Sequence, residues 1–266
     1  MRIAQIILPD ATVYERKCQR VDQAALSERH DVLVVTPEEA RMSGADVAHV
    51  YAGEALPASA FTRFPLPYVA SSSLHPSRWP WRRAVGPREV VTPERVPEAV
   101  EERYFAASGA RAPRSGHGSI VGSFARPETR NMVEQTLAHI HRFRDDVQWR
   151  VFDSPPSPED LAGVDLWADP AVLEKDYSGF VAEALVIGLP VVATRTLLNA
   201  RRLEQGRTGL LVPPRDPNEM THAILALLFK PEITNDKIGA ATQTVSKFRA
   251  RQRLRVLVDM YQTLIG

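Results

Sequence analysis

At 266 residues, 44% apolar and 24% charged, the chain is long enough for two modest αβ domains and ordinary for a globular protein. A net charge of +1 excludes a general nucleic-acid binder, which needs a marked basic excess. The single cysteine, Cys18, excludes an internal disulfide framework and a Cys-rich metal site, and reads as a packed helix residue.

In chain order, Arg2 to Leu8 reads as a buried strand, Tyr14 to Arg29 as a helix and Asp31 to Thr36 as a second strand, a βαβ opening. The run Ile3 to Leu8 is too short for a signal-peptide core. No stretch approaches the roughly 18 apolar residues of a membrane span, so a cytoplasmic chain is expected. Asp46 to Tyr51, Tyr68 to Ser72 and Glu89 to Thr92 are further short strands, followed by a helix near Pro97 to Phe105. Ala106 to Gly118, rich in Gly, Ser, Pro and Ala, reads as a linker.

A second αβ unit begins with a strand at Ser119 to Ser123, a helix at about Thr129 to Arg142 and strands at Gln148 to Phe152 and Asp165 to Ala168. An apolar helix bearing one carboxylate, Glu183, then runs through Gly188-Leu189-Pro190 into the buried-type strand Val191-Val192-Ala193. Turns follow, then a helix over Pro217 to Phe229 and a last one over Val245 to Leu264. Both units are expected to form parallel sheets with ligand loops at the strand carboxyl ends.

Glu183, Gly188, Pro190, Val191, Val192, Ala193, Gly206, Gly209, Leu211, Val212 and Asp216 fall in register on a known pattern. They resemble the donor-binding core of the GT-B glycosyltransferases, specifically retaining family 4 (glycosyl transferases group 1), written E-x7-E, G-x-P-V-V-A, a Gly-rich turn and G-x-x-G-x-L-V-x-x-x-D. The resemblance implies an α/β GT-B fold: two Rossmann-like parallel-sheet domains facing across a cleft, with a C-terminal helix crossing back. On that basis residues 1–106 form a shortened acceptor-side domain, 107–118 the linker, 119–244 the donor-binding domain, and 245–266 a helix returning to the first domain.

The activity implied is transfer of a sugar from a nucleoside-diphosphate sugar to a carbohydrate, lipid-linked or small-molecule acceptor, with retention and without a metal or other cofactor. Glu183 matches the motif Glu that accepts the ribose hydroxyls; the plain alternative is a capping or solvated Glu. The leaving diphosphate needs positive charge where charge accumulates. In the loop from Gly122 to Arg130 the candidates are Arg126 and Arg130, at a helix start that itself favours anions, against two ordinary surface arginines. Pro67 to His75 resembles the strand-end text that places a histidine beside the donor sugar, so His75 is the third catalytic candidate, against an ordinary loop His.

The chain also departs from the pattern. Ser123 stands where an Arg usually follows Gly, and Lys175 occupies the strict register of the first motif Glu, with Glu174 beside it. Thr196-Leu197-Leu198-Asn199 replaces the usual Gly-Gly turn, so the backbone there is less open to diphosphate. These residues complete the donor-binding candidates, and Lys175 with Leu197 and Leu198 favours a second reading, a catalytically weak binding or partner subunit. The cluster Arg78-Trp79-Pro80-Trp81-Arg82-Arg83 suits a peripheral membrane contact at the inner face or stacking on sugar rings, against Trp packing on Pro. Asp145-Asp146 lacks the spacing of a metal-binding pair, so no metal site is expected.

Overall fold

The computed structural model describes residues 1–52, 66–71, 89–91, 96, 98–109, 118–172 and 179–266. They form two compact units, residues 1–101 with 248–266, and residues 102–247. Each is an α/β unit on a five-stranded parallel sheet, as the GT-B resemblance implies.

In the first unit, β1 (Arg2–Ile7), β2 (Asp31–Val34), β3 (Val47–Tyr51), β4 (Tyr68–Ser71) and β5 (Glu89–Val91) lie in the order β2-β1-β3-β4-β5. Alternate side chains divide between two cores. Ala4, Ile6, Ala48, Val50 and Ala70 pack with Ala40 of α2 (Pro37–Met42). Ile3, Val47 and Val69 pack with Leu26 of α1 (Val13–Leu26) and with the C-terminal helix Ala250–Ile265, whose Leu254, Leu257, Tyr261 and Leu264 recur at helical spacing. Residues 98–101 are not helical, so the helix expected from Pro97 shortens to α3 (Glu102–Ala106) in the second unit. The expected last helix from Val245 instead opens with a 3-10 turn and begins at Ala250.

The face that is apolar at Ile3 and Val47 becomes polar toward the strand carboxyl ends. Arg253 of the C-terminal helix donates to both oxygens of Asp22 on α1, at 2.6 and 2.8 Å, both residues being buried. The Tyr51 hydroxyl donates to Asp22 at 2.9 Å and accepts from Gln5 at 3.3 Å. His49 lies 2.5 Å from the Tyr261 hydroxyl through Nδ1 and 2.7 Å from Ser71 Oγ through Nε2. The Tyr51 hydroxyl also lies 3.1 Å from Nδ1, so both ring nitrogens have hydroxyl partners. Burial first, and the Arg253 charge second, hold the His49 pKa well below its ordinary value.

In the second unit, β6 (Ile120–Phe124), β7 (Gln148–Phe152), β8 (Leu166–Asp169), β9 (Val191–Thr194) and β10 (Leu210–Val212) lie in the order β10-β9-β8-β6-β7. Counted from each unit's own first strand, both sheets follow the order 2-1-3-4-5. The helices are α4 (Arg130–Ile140), α5 (Pro158–Ala162), α6 (Val181–Ile187), α7 (Leu197–Arg202), α8 (Pro217–Phe229) and α9 (Pro231–Thr242). The segment expected as an altered turn after β9 is therefore a helix, because Thr196 caps it by accepting from the Asn199 backbone N–H. Asp216 likewise acts locally, its carboxylate accepting from the Asn218 and Glu219 N–H groups to start α8. α6 ends at Gly188, whose φ of 91° a side chain would oppose, and Leu189 N–H returns to the Ala184 carbonyl at 2.9 Å.

Candidate functional site

A parallel sheet of order 2-1-3-4-5 binds ligands outside the carboxyl ends of its first and third strands, where the winding direction reverses. In the second unit those strands are β6 and β8. β6 runs through Ser123 and Phe124 to Arg126; β8 ends on Asp169. Arg126 and Asp169 are ion-paired across this point through Arg126 Nη2 and Asp169 Oδ1, and they are 8% and 0% exposed. The second carboxylate oxygen accepts from Asn199 Nδ2 at 2.7 Å, and the same nitrogen reaches the Thr194 carbonyl at 3.2 Å. Asn199 Oδ1 in turn lies 3.4 Å from Arg202 Nη1.

Gly179, just before α6, lies against this cluster. A Cβ on Gly179 would lie 2.5 to 2.7 Å from three atoms of the Asp169 carboxyl group, so only glycine fits. Trp167 Nε1 donates to the Gly179 carbonyl at 2.7 Å, and Thr194 Oγ1 donates to the Ala171 carbonyl at 2.6 Å. Phe180 follows in the left-handed region (φ 50°), buried and packed on Phe124 with ring centroids 5.0 Å apart. A phenylalanine there stores on the order of 1–3 kcal/mol of backbone strain, held by the packing around it.

Of the residues singled out from sequence, Glu183 lies in the first turn of α6 and is 1% exposed. Ser123 is buried in β6 and accepts from Trp149 Nε1 at 2.8 Å. Arg126 is held by Asp169, whereas Arg130 is exposed at the start of α4. Thr196 and Leu198 are buried and Leu197 is exposed at 57%. The structure thus puts Arg126, Glu183 and Thr196 to Leu198 on the loop and helix starts at one sheet edge, and leaves Ser123 within β6. His75, Glu174, Lys175 and the Arg78–Arg83 cluster lie outside the described residues. Asp169 is absent from the sequence candidates; its signal is a lone carboxylate closing the apolar run Leu166-Trp167-Ala168. Asp146 pairs with Arg144 at 2.7 and 2.9 Å on the surface. Among the described residues no group of three or more His, Cys, Asp or Glu side chains is placed to hold a metal, and no helix is long and apolar enough to cross a membrane.

Residues 107–230 match the family described as Glycosyl transferases group 1. A D-inositol 3-phosphate glycosyltransferase of Corynebacterium jeikeium (strain K411) is 33% identical over 117 residues, covering 42% of this chain and 28% of the relative. A phosphatidyl-myo-inositol mannosyltransferase of Mycobacterium leprae (strain TN) is 24% identical over 145 residues, 54% of this chain and 37% of the relative. The matches therefore span only about a third of these relatives' length. Among solved structures, a glycosyltransferase from Rickettsia africae ESF-5 aligns with a TM-score of 0.70 at 12% identity, covering 100% of this chain and 98% of that one. Anabaena Alr3699/HepE in complex with UDP and glucose aligns with a TM-score of 0.69 at 13% identity, covering 99% and 100%. These likenesses show the fold of the GT-B glycosyltransferases, and residues 107–230 resemble glycosyl transferases group 1.

Proposed function

We propose that the chain is a glycosyltransferase that takes its sugar from a nucleoside-diphosphate donor bound at the carboxyl edge of the second unit. The observation that carries this reading is the placement of Arg126, Glu183 and Thr196 in the segments that follow the carboxyl ends of β6, β8 and β9, beside the β6–β8 reversal point and inside the region matching glycosyl transferases group 1. The complex of Alr3699/HepE with UDP and glucose, which shares the fold, supports a nucleotide ligand. In the reading, Glu183 accepts the ribose hydroxyls and Arg130, exposed at a helix start, meets the diphosphate. The reaction proceeds with retention: the acceptor hydroxyl attacks on the face that the diphosphate leaves, and a phosphate oxygen takes the proton, so neither a protein base nor a metal is called for. His75 completes the catalytic set beside the donor sugar, with Glu174 and Lys175 toward that sugar. The acceptor is a carbohydrate, lipid-linked or small-molecule alcohol, with contact at a membrane surface, a protein partner or a second copy as further expectations.

A specific observation favours a second reading, a catalytically weak binding or partner subunit. Leu197 and Leu198 start α7 where glycines would admit diphosphate, and Arg126 is already neutralised by Asp169. Calorimetric titration with UDP, GDP, ADP and dTDP, with and without magnesium, separates the two. Metal-independent micromolar binding of one nucleotide, weakened about 10- to 100-fold in Glu183→Ala as for the loss of charged hydrogen bonds, is the expected result. No binding by any of them favours the partner subunit, and unchanged affinity in Glu183→Ala removes Glu183 from the site. With the matching donor, product with inverted anomeric configuration would overturn retention.

A further inference from the structure

We infer that Asp169 is a positioning residue for the donor diphosphate, acting through the loops that it ties together; this rests on the donor-site reading above. The carboxylate is buried, and both of its oxygens are taken by protein partners, Arg126 and Asn199. Its contacts reach each segment that carries a described donor-site candidate. Oδ1 holds Arg126 of the β6–α4 loop, and Oδ2 holds Asn199 of α7. The bare Cα of Gly179, two residues before α6 and four before Glu183, lies against the carboxyl group. Asn199 is itself the residue whose N–H is capped by Thr196, so Asp169 also fixes the start of α7. One buried anion thus sets the spacing of the β6–α4 loop, the start of α6 and the start of α7 at the reversal point between β6 and β8.

The ion pair also divides the work between the two arginines. Arg126 is buried with its charge balanced, and so it shapes the loop; Arg130, four residues on and exposed, keeps its charge for the ligand. A group that orders loops without touching the ligand changes affinity for the part of the ligand those loops hold, and little else.

The test is the ratio of affinities for a nucleoside diphosphate and the corresponding monophosphate, taken from UDP/UMP, GDP/GMP, ADP/AMP and dTDP/dTMP, by calorimetry. The ratio isolates the outer phosphate and does not depend on the fraction of protein folded. Asp169→Asn keeps the size of the side chain and its carbonyl acceptor but removes the charge. We expect the diphosphate preference to fall on the order of tenfold, with monophosphate affinity within about twofold of wild type. Asn199→Ala, which removes one arm and leaves the ion pair, is expected to show a smaller fall in the same ratio, and it decides the question should Asp169→Asn not fold. A ratio unchanged in the folded variants overturns the inference, as does a tighter diphosphate complex in Asp169→Asn, which would make Arg126 a masked ligand. If wild type binds none of the nucleotides, the donor-site reading itself fails and takes the inference with it.

Discussion

The two units share the strand order 2-1-3-4-5 yet bury their charge in different places. In the first, the buried pair Asp22–Arg253 lies between α1 and the C-terminal helix, behind the sheet, and ties the end of the chain to its beginning. In the second, the pair Arg126–Asp169 sits at the carboxyl edge, between the strands where a sheet of this order takes its ligand. Neither is evidence of stability by itself, since desolvation of two charges offsets most of their attraction. The difference lies in what each pair organises: a helix interface in one unit, and the loops of a candidate binding edge in the other.

The largest effect is expected in the first unit. Arg253→Met leaves Asp22 buried without its cation and is expected to cost about 3–5 kcal/mol in denaturant unfolding, with the nucleotide affinity of the folded protein unchanged. A parallel loss of nucleotide binding would mean that the helix interface and the binding edge are not separate devices.

Acid probes the same buried network from another side. His49 faces Tyr51 and Ser71 from the sheet, Asp22 of α1 is bonded to Tyr51, and Tyr261 and Arg253 approach from the C-terminal helix. Its native pKa is depressed by burial, so on acidification the unfolded chain takes up a proton before the native ring does. Stability is then full above the unfolded value of about 6.5 and falls as pH drops below it, by at most about 1.4 kcal/mol per pH unit, until the depressed native value is reached. Unfolding curves between about pH 7.5 and 5 check this; a His49→Asn variant that kept the full dependence would assign it to other groups. The smallest effect belongs at the surface. Arg2→Ala removes a bond to Asp31 between side chains that are 48% and 51% exposed, and a change within about 1 kcal/mol in the same unfolding assay is expected.

Much of this architecture is legible in the residues. Short β-branched runs such as Val191-Val192-Ala193 mark central strands, and the spacing of Leu257, Tyr261 and Leu264 marks the C-terminal helix. The short helices α2 and α5 escape apolar periodicity because they bury so little, Ala40 alone in α2, and Pro158 and Leu161 in α5. Their starts are nevertheless written in Thr36-Pro37-Glu38-Glu39 and Ser157-Pro158-Glu159-Asp160, capping boxes with proline at the first helical position. α7 is hidden for another reason: the glycines of the family pattern suggest a turn, whereas Thr196 followed by Leu-Leu-Asn is a capped helix.

The candidate site divides along the same line. Glu183 stands out because a lone carboxylate in an apolar helix is rare. Asp169 and Arg126 are 43 residues apart, and their pairing exists only because β6 and β8 become neighbours in the sheet. No local spacing encodes it.

Hydrogen–deuterium exchange on the intact chain, with and without the nucleoside diphosphate it binds, tests directly whether the edge around Asp169 is the binding edge. Slowed exchange is expected in the backbone of residues 122–130 and 180–199, the loops around Asp169, with β1 to β4 unchanged. Slowed exchange confined to residues 1–101, with none around Asp169, would contradict it.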